Sequence, residues 1–251
     1  MKELEIDIRK VALSEILPLR DLYLQECNFQ IRYDACHIRN WTDSYLIFLA
    51  GEKVGYASIK GLEELSDRDA VFEYFLLPEF RNKSSLFFAE LLKKTKAPFL
   101  ECQSNDLILS PMMFEFGAEI ESEVILFGEG HSSQIQKEGL IFRPAKQGED
   151  VFGKKEADKG AYVLEIKGKV IADGGFLTHY NHPFADLYME VAKDFRGKGY
   201  ASYILQEIKK VCYAAGKVPA ARCSISNPAS KASLLNAGMQ VVGYMLKGKV
   251  K

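Results

Sequence analysis

No apolar run in this 251-residue sequence approaches the length needed to cross a membrane as a helix. An excess of one charge is missing too: 33 Lys and Arg face 34 Asp and Glu, a formal net charge of -1. That balance argues against a protein that holds nucleic acid by neutralising phosphates. The one basic run, Lys247-Gly-Lys-Val-Lys251, reads as a solvated tail. Cysteine pairing is lacking as well. Cys27, Cys36, Cys102, Cys212 and Cys223 are odd in number, and no two have metal-ligand or redox spacing. Reduced thiols, no metal and a cytoplasmic setting are the expectation. The opening Met1-Lys-Glu-Leu-Glu-Ile-Asp7 is acidic and amphipathic and does not read as a signal peptide. Neither common phosphate-loop pattern occurs, the Gly-x-x-x-x-Gly-Lys-Ser/Thr loop or a Gly-x-Gly-x-x-Gly opening a βαβ unit.

What is present is a globular composition, 47% hydrophobic and 27% charged, with material for one large or two modest domains. One stretch carries more information than the rest. Leu187, Met189 and Val191 alternate with Tyr188 and Glu190 in the period of a strand. Arg196-Gly-Lys-Gly-Tyr-Ala201 follows as a glycine-punctuated turn, and from Tyr200 the apolar positions Tyr203, Ile204, Ile208 and Val211 take helical spacing. The first turn of a helix offers backbone N–H groups without intrahelical partners at its positive end. Glycines let a pyrophosphate come close to them. By itself an Arg-Gly-x-Gly string is better read as an ordinary turn with a solvated arginine.

The chain also repeats itself. Strand, helix, hairpin, strand, turn and helix are read from Leu4 through Lys96, with Ser14 as the first helix cap and a hairpin about Gly51-Glu-Lys53. After a polar linker around Gly128–Ser133 the order resumes, with a second hairpin about Lys167-Gly-Lys169. Pro78-Glu-Phe-Arg-Asn-Lys-Ser84 matches Lys193-Asp-Phe-Arg-Gly-Lys-Gly199, and Cys102 stands as far before Gly117 as Cys223 does before Gly238. The first half has Asn82, Ser84 and Leu86 where the second has Gly197, Gly199 and Ala201, so its side chains would block a pyrophosphate. The expected division is residues 1–128, a degenerate half without the loop, a linker at 129–137, and residues 138–251 carrying the chemistry.

With Arg196-Gly-Lys-Gly-Tyr-Ala201, an apolar Val191 five residues before the arginine, and Asn227, Ser230 and Ala237-Gly-Met239 beyond the next strand, the second half resembles the GNAT superfamily of acetyl-CoA-dependent N-acetyltransferases. The resemblance covers about Leu140–Lys251 well and Ile6–Phe127 weakly. It implies an α/β (α+β) fold of two tandem GNAT-like domains, each a mixed, mostly antiparallel sheet flanked by helices. It also implies acetyl transfer from acetyl-CoA to a primary amine of a small molecule or peptide by direct attack, with no nucleic-acid or membrane partner. By the same resemblance Arg196, Gly197, Lys198, Gly199, Tyr200 and Ala201 would meet the pyrophosphate. Met189 and Val191 would offer backbone to pantetheine, and Asn227 and Ser230 would flank that arm. Asn227 also reads as a helix N-cap before Pro228.

Catalytic residues are less defined by the sequence. Glu190 and Tyr188 are the candidates, with Asp186 and His182 nearby. Glu190 reads first as a solvated or salt-bridged strand residue and only second as a catalytic group. The tyrosine that the family often places seven residues after the asparagine is Leu234 here. Cys223 reads as a small buried hydrophobe, and His179 with His182 as a loop pair without a metal. The segment Ala145–Gly160 is too short for the two helices that usually wall the acceptor pocket, which leaves the first half to supply that wall. The competing reading is a non-catalytic acyl-CoA-binding or interaction protein.

Overall fold

The alternation in Ile6–Val11 forms the first strand, β1, which pairs antiparallel with β2 (Thr42–Leu49), Ile6 opposite Leu49 and Val11 opposite Ser44. The coordinates are a computed structural model that describes residues 5–26 and 33–251, so Cys27 lies outside the described residues. Between these strands lie α1 (Leu13–Glu26) and a short α2 (Tyr33–Ile38), which sequence spacing does not reveal. Ile16, Leu19 and Tyr23 give α1 its buried stripe. Ser14, expected as the cap of α1, lies inside its first turn. The exposed Ala12 N–H is instead satisfied by the Glu15 carboxylate, at 3.1 Å.

The described chain divides into two compact units. The described residues of the first are 5–26, 33–123 and 243–251. Its strands run β1, β2, β3 (Glu52–Lys60), β4 (Ala70–Leu76) and β5 (Phe99–Gln103), all antiparallel except β4 and β5. A 3-10 turn (Pro78–Lys83) leads into α3 (Ser84–Thr95), and α4 (Leu109–Phe116) follows β5. The core is aromatic, with Tyr23, Tyr56, Phe75, Phe87 and Phe88 fully buried.

The second unit takes in residues 124–242. Its strands are β7 (Leu140–Pro144), β8 (Tyr162–Ile166), β9 (Lys169–Leu177), β10 (Phe184–Val191) and β11 (Val218–Ser224). Only β10 and β11 are parallel. Helices α5 (Tyr200–Ala214) and α6 (Pro228–Asn236) flank them. Leu187, Val191, Ile204, Leu205, Ile208 and Cys223 share its core. Each unit is thus the expected mixed, mostly antiparallel sheet with helices.

The units divide differently from the linear halves read in the sequence. Two strands, β6 (Gly117–Glu129) and β12 (Met239–Val250), pass from one unit to the other. In the first unit Met245–Lys249 of β12 pair with β5, Leu246 opposite Cys102. In the second, Val124–Phe127 of β6 pair with β11, Ile125 opposite Cys223. Each repeat therefore receives its last strand from the other repeat's end.

Candidate functional site

The parallel pair in the second unit is short. Phe184, Ala185 and Asp186 lie opposite Val218, Pro219 and Ala220, and there the pairing stops. Beyond it β10 continues against β9 to Val191, while β11 continues against β6. The two strands splay and leave an open backbone edge on β10. Which residues face that gap follows from the ladder. Ala192 N–H donates to Ile171 C=O at 2.9 Å, and the register runs unshifted from Val191 opposite Ala172 to Asp186 opposite Leu177. Antiparallel residues alternate between bonded and non-bonded pairs. Asp186, Tyr188 and Glu190 thus spend their amides on β9, and Leu187, Met189 and Val191 turn theirs toward the splay.

A cavity of about 260 Å³ fills the gap, lined by Asp186, Leu187, Tyr188, Met189, Leu205, Arg222, Ser230 and Leu234. The candidates Tyr188, Met189 and Ser230 are therefore brought together. Tyr188 lies flat across Gly175, whose missing side chain makes room: a Cβ there would meet the Tyr188 hydroxyl at 2.8 Å. Leu234, buried, gives this wall an apolar side chain.

The glycine turn sits at the end of the same strand. Gly197 and Gly199 have φ of 74° and 76°, the left-handed region that favours glycine. Tyr203 N–H bonds Gly199 C=O, so the amides of Tyr200, Ala201 and Ser202 head α5 without a bond inside it. No side chain caps this end. Lysines surround it. Lys137 Nζ stands 5.3 Å over the Tyr200 ring, and Lys169 and Lys198 stand 5.2 and 5.4 Å over Phe195. Lys137 comes from the segment expected as a linker, which Gln206 pins to α5 by accepting from Ile135 N–H at 2.7 Å and donating back to its C=O. Arg196 stays exposed but folds back on the strand, its Nε donating to Val191 C=O at 2.9 Å.

The first unit shows what the turn needs. Its β4 and β5 also stop pairing after two residues, Ala70 with Phe99 and Val71 with Leu100. There Asn82 and Ser84 take no positive φ, and the 3-10 turn runs straight into α3. Tyr74 and Phe72 are fully buried, and Tyr74 donates to Ser84 C=O at 2.8 Å. No cradle forms.

Glu190 lies outside the cavity and is neutralised on two sides, by Lys154 at 2.9 Å and Arg196 at 3.5 Å. Burial opposes the charge on Lys154, but hydrogen bonds to Asp173 and Glu190 overcome it and raise its pKa. Asn227 is an N-cap, its Oδ1 accepting from Ser230 N–H at 3.0 Å. Cys223 is buried, which pushes its thiol pKa up, as suits packing rather than nucleophilic attack. His179 Nε2 meets Asp186 at 3.2 Å, and His182 Nδ1 lies 3.4 Å from Lys217 Nζ. Among the described residues no group of three or more potential ligands could hold a metal. Sequence reading gave no role to Arg222, Lys137 or Lys154. Arg222 could have been found, as the charged residue that alternates with the buried Ala221 and Cys223 on one strand.

Comparison with known proteins agrees with this geometry. A model of the Acetyltransferase (GNAT) family matches residues 132–238. This segment is similar to a GNAT domain. Among solved structures, a GNAT-family acetyltransferase from Colwellia psychrerythraea is 16% identical, with a TM-score of 0.74 over 98% of this chain and 100% of its own. A GCN5-related N-acetyltransferase from Sphaerobacter thermophilus has a TM-score of 0.60 at 14% identity, covering 98% and 96%. A tandem GNAT protein from the clavulanic acid biosynthesis pathway has a TM-score of 0.58 at 10% identity, covering 98% of both chains. These likenesses establish the tandem GNAT fold. No curated protein matches the sequence.

Proposed function

We propose that the second unit transfers an acetyl group from acetyl-CoA to a primary amine by direct attack. The observation that carries this reading is the splay of β10 from β11, with a cavity in the gap and a left-handed glycine turn at the head of α5. The residues present fit the cosubstrate. Tyr200, Ala201 and Ser202 amides can accept a pyrophosphate, with Lys137 and Lys198 adding charge. Gly197 and Gly199 form the turn, and Arg196 braces it through Val191. The open amides of Met189 and Val191 can pair with the pantetheine arm and face a thioester oxygen, where an N–H stabilises the oxyanion. Ser230 and the Asn227 cap form the far wall. The first unit, with no such turn, keeps the fold alone.

Acetyl-CoA supplies the activated thioester. The chain positions the amine beside it and handles the protons. Tyr188, in the cavity wall, is assigned the proton delivered to the departing thiolate, in place of the tyrosine that Leu234 replaces. Glu190 serves as a charge partner of Lys154 on the same strand face.

The test is a thermal shift of the full chain with acetyl-CoA, followed by thiol release in the presence of amines. A ligand at one hundred times its dissociation constant stabilises the folded state by about 2.7 kcal/mol. A shift with amine-dependent thiol release supports the enzyme. A shift without release would favour acyl-CoA binding alone, the reading that Leu234 at the usual acid position favours. No shift at millimolar ligand would remove both.

A further inference from the structure

The cleft has two sides. Leu187, Met189 and Val191 on β10, and Ala221 and Cys223 on β11, pack into the core with α5. Strand alternation sends Asp186, Tyr188 and Arg222 to the opposite face of the sheet. With the glycine turn and α5 serving the acyl donor, an acceptor reaches the thioester from the Asp186 face.

A pair of opposite charges waits there. Asp186, 8% exposed, has Oδ2 3.2 Å from His179 Nε2 and 3.9 Å from Arg222 Nε. Arg222 is anchored by its backbone, opposite Leu126 on β6. Only its Nε edge turns toward Asp186. Among the described residues neither Nη nitrogen has a hydrogen-bond partner, and the side chain is 33% exposed. The cation is fixed at its root and uncommitted at its tip, in the wall of the cavity.

We propose that Asp186 and Arg222 select a free α-amino acid as acceptor, its ammonium on Asp186 and its carboxylate on the Nη groups of Arg222. This rests on the acetyl-transfer reading and narrows it. A guanidinium fork grips a carboxylate through two parallel N–H bonds. Two opposite charges set side by side match a zwitterion whose own charges are one carbon apart. A simple alkylamine or a peptide terminus offers Arg222 no anion beside the amine and leaves it unpaired. In the step itself one ammonium proton leaves to water by way of the Asp186 carboxylate. The freed lone pair attacks the thioester carbon, the C–N bond forms and the C–S bond breaks. Tyr188 gives its proton to the departing sulfur and takes up the second amine proton in its place, giving the N-acetyl amino acid and free thiol.

The experiment titrates the full chain, with and without CoA, against the common free L-amino acids and their amides, and measures acetyl transfer to each. At least one free amino acid is expected to bind and react, with its amide weaker by about 10- to 100-fold, as loss of a charge-assisted bond predicts. Arg222→Gln brings the acid-to-amide ratio near one and Arg222→Lys restores part of it, with melting temperature and CoA shift retained. Amides equal to acids in the unaltered protein, or no amino acid binding to the CoA complex, would overturn the proposal. Failure of the acetyl-transfer reading shows separately, as absence of a shift with acetyl-CoA. Amino-acid binding without CoA would then still decide the role of the pair.

Discussion

Arg196 Nε donates to the carbonyl of Val191 at 2.9 Å, and in the first unit Arg81 Nε donates to Leu76 at the same distance across the same five residues. The arginine of the loop is thus a brace between the end of a strand and the start of the following turn, in both repeats. The brace survives where the glycines do not. The units therefore differ in the residues between the arginine and the helix.

Gly199 carries two constraints, a φ of 76° and a Cβ position 3.3 Å from Lys137 Cε. Gly199→Ala should cost roughly 1–2 kcal/mol of stability and weaken CoA binding. Gly199→Asp should also place a carboxylate against the pyrophosphate and abolish CoA binding without unfolding the chain. Calorimetric titration with CoA, checked by circular dichroism, reads both. Unchanged affinity in the aspartate variant would remove the turn from the site.

Tyr188 and Glu190 are neighbours on one strand face with different surroundings. Tyr188→Phe keeps the ring on Gly175 and removes only the hydroxyl, so kcat should fall by about 100-fold with KM for acetyl-CoA little changed. Glu190→Gln should change kcat by less than about threefold, because exposed ion pairs contribute little. Steady-state thiol release distinguishes them. A reversed order would make Glu190 the proton carrier.

The exchanged strands predict how the chain can be cut. A fragment of residues 1–128 lacks the 243–251 strand that pairs with β5, and a fragment of 138–251 lacks the 124–127 strand that pairs with β11. Neither should unfold cooperatively. Fusing residues 243–251 to the first fragment should restore a sharp urea transition. Cooperative folding of the plain 1–128 fragment would show that its unit closes without the borrowed strand.

The first unit should be sensitive to acid through Glu73. Burial raises its pKa, but the Arg20 guanidinium and the His37 ring outweigh that and bring it from 4.5 to about 2. A depressed carboxylate stabilises the fold above its unfolded value, and the contribution is lost as pH falls from 4.5 through about 2. Arg20→Met strips the main partner from a buried charge and should cost about 3–5 kcal/mol at pH 7. The loss should be smaller at pH 3, where Glu73 in the variant takes up a proton. Urea melts at the two pH values measure it. An equal loss at both would mean that the pair acts by packing alone.

The sequence alone determined the strand, glycine turn and helix around Arg196, because period and glycine placement are local properties. It also determined the duplication, since each repeat carries the same short signals in the same order. The N-cap at Asn227 was legible for the same local reason, as was the packing role of Cys223. Which residues share the cavity was decided by tertiary structure. Arg222 meets Asp186 from a strand 36 residues further along the chain, while His179 reaches it from the loop just before β10. Lys137 reaches Tyr200 only because Gln206 holds the intervening segment on α5. The exchange of β6 and β12 lay beyond any sequence period, because alternation fixes the faces of a strand and says nothing about which edge it joins.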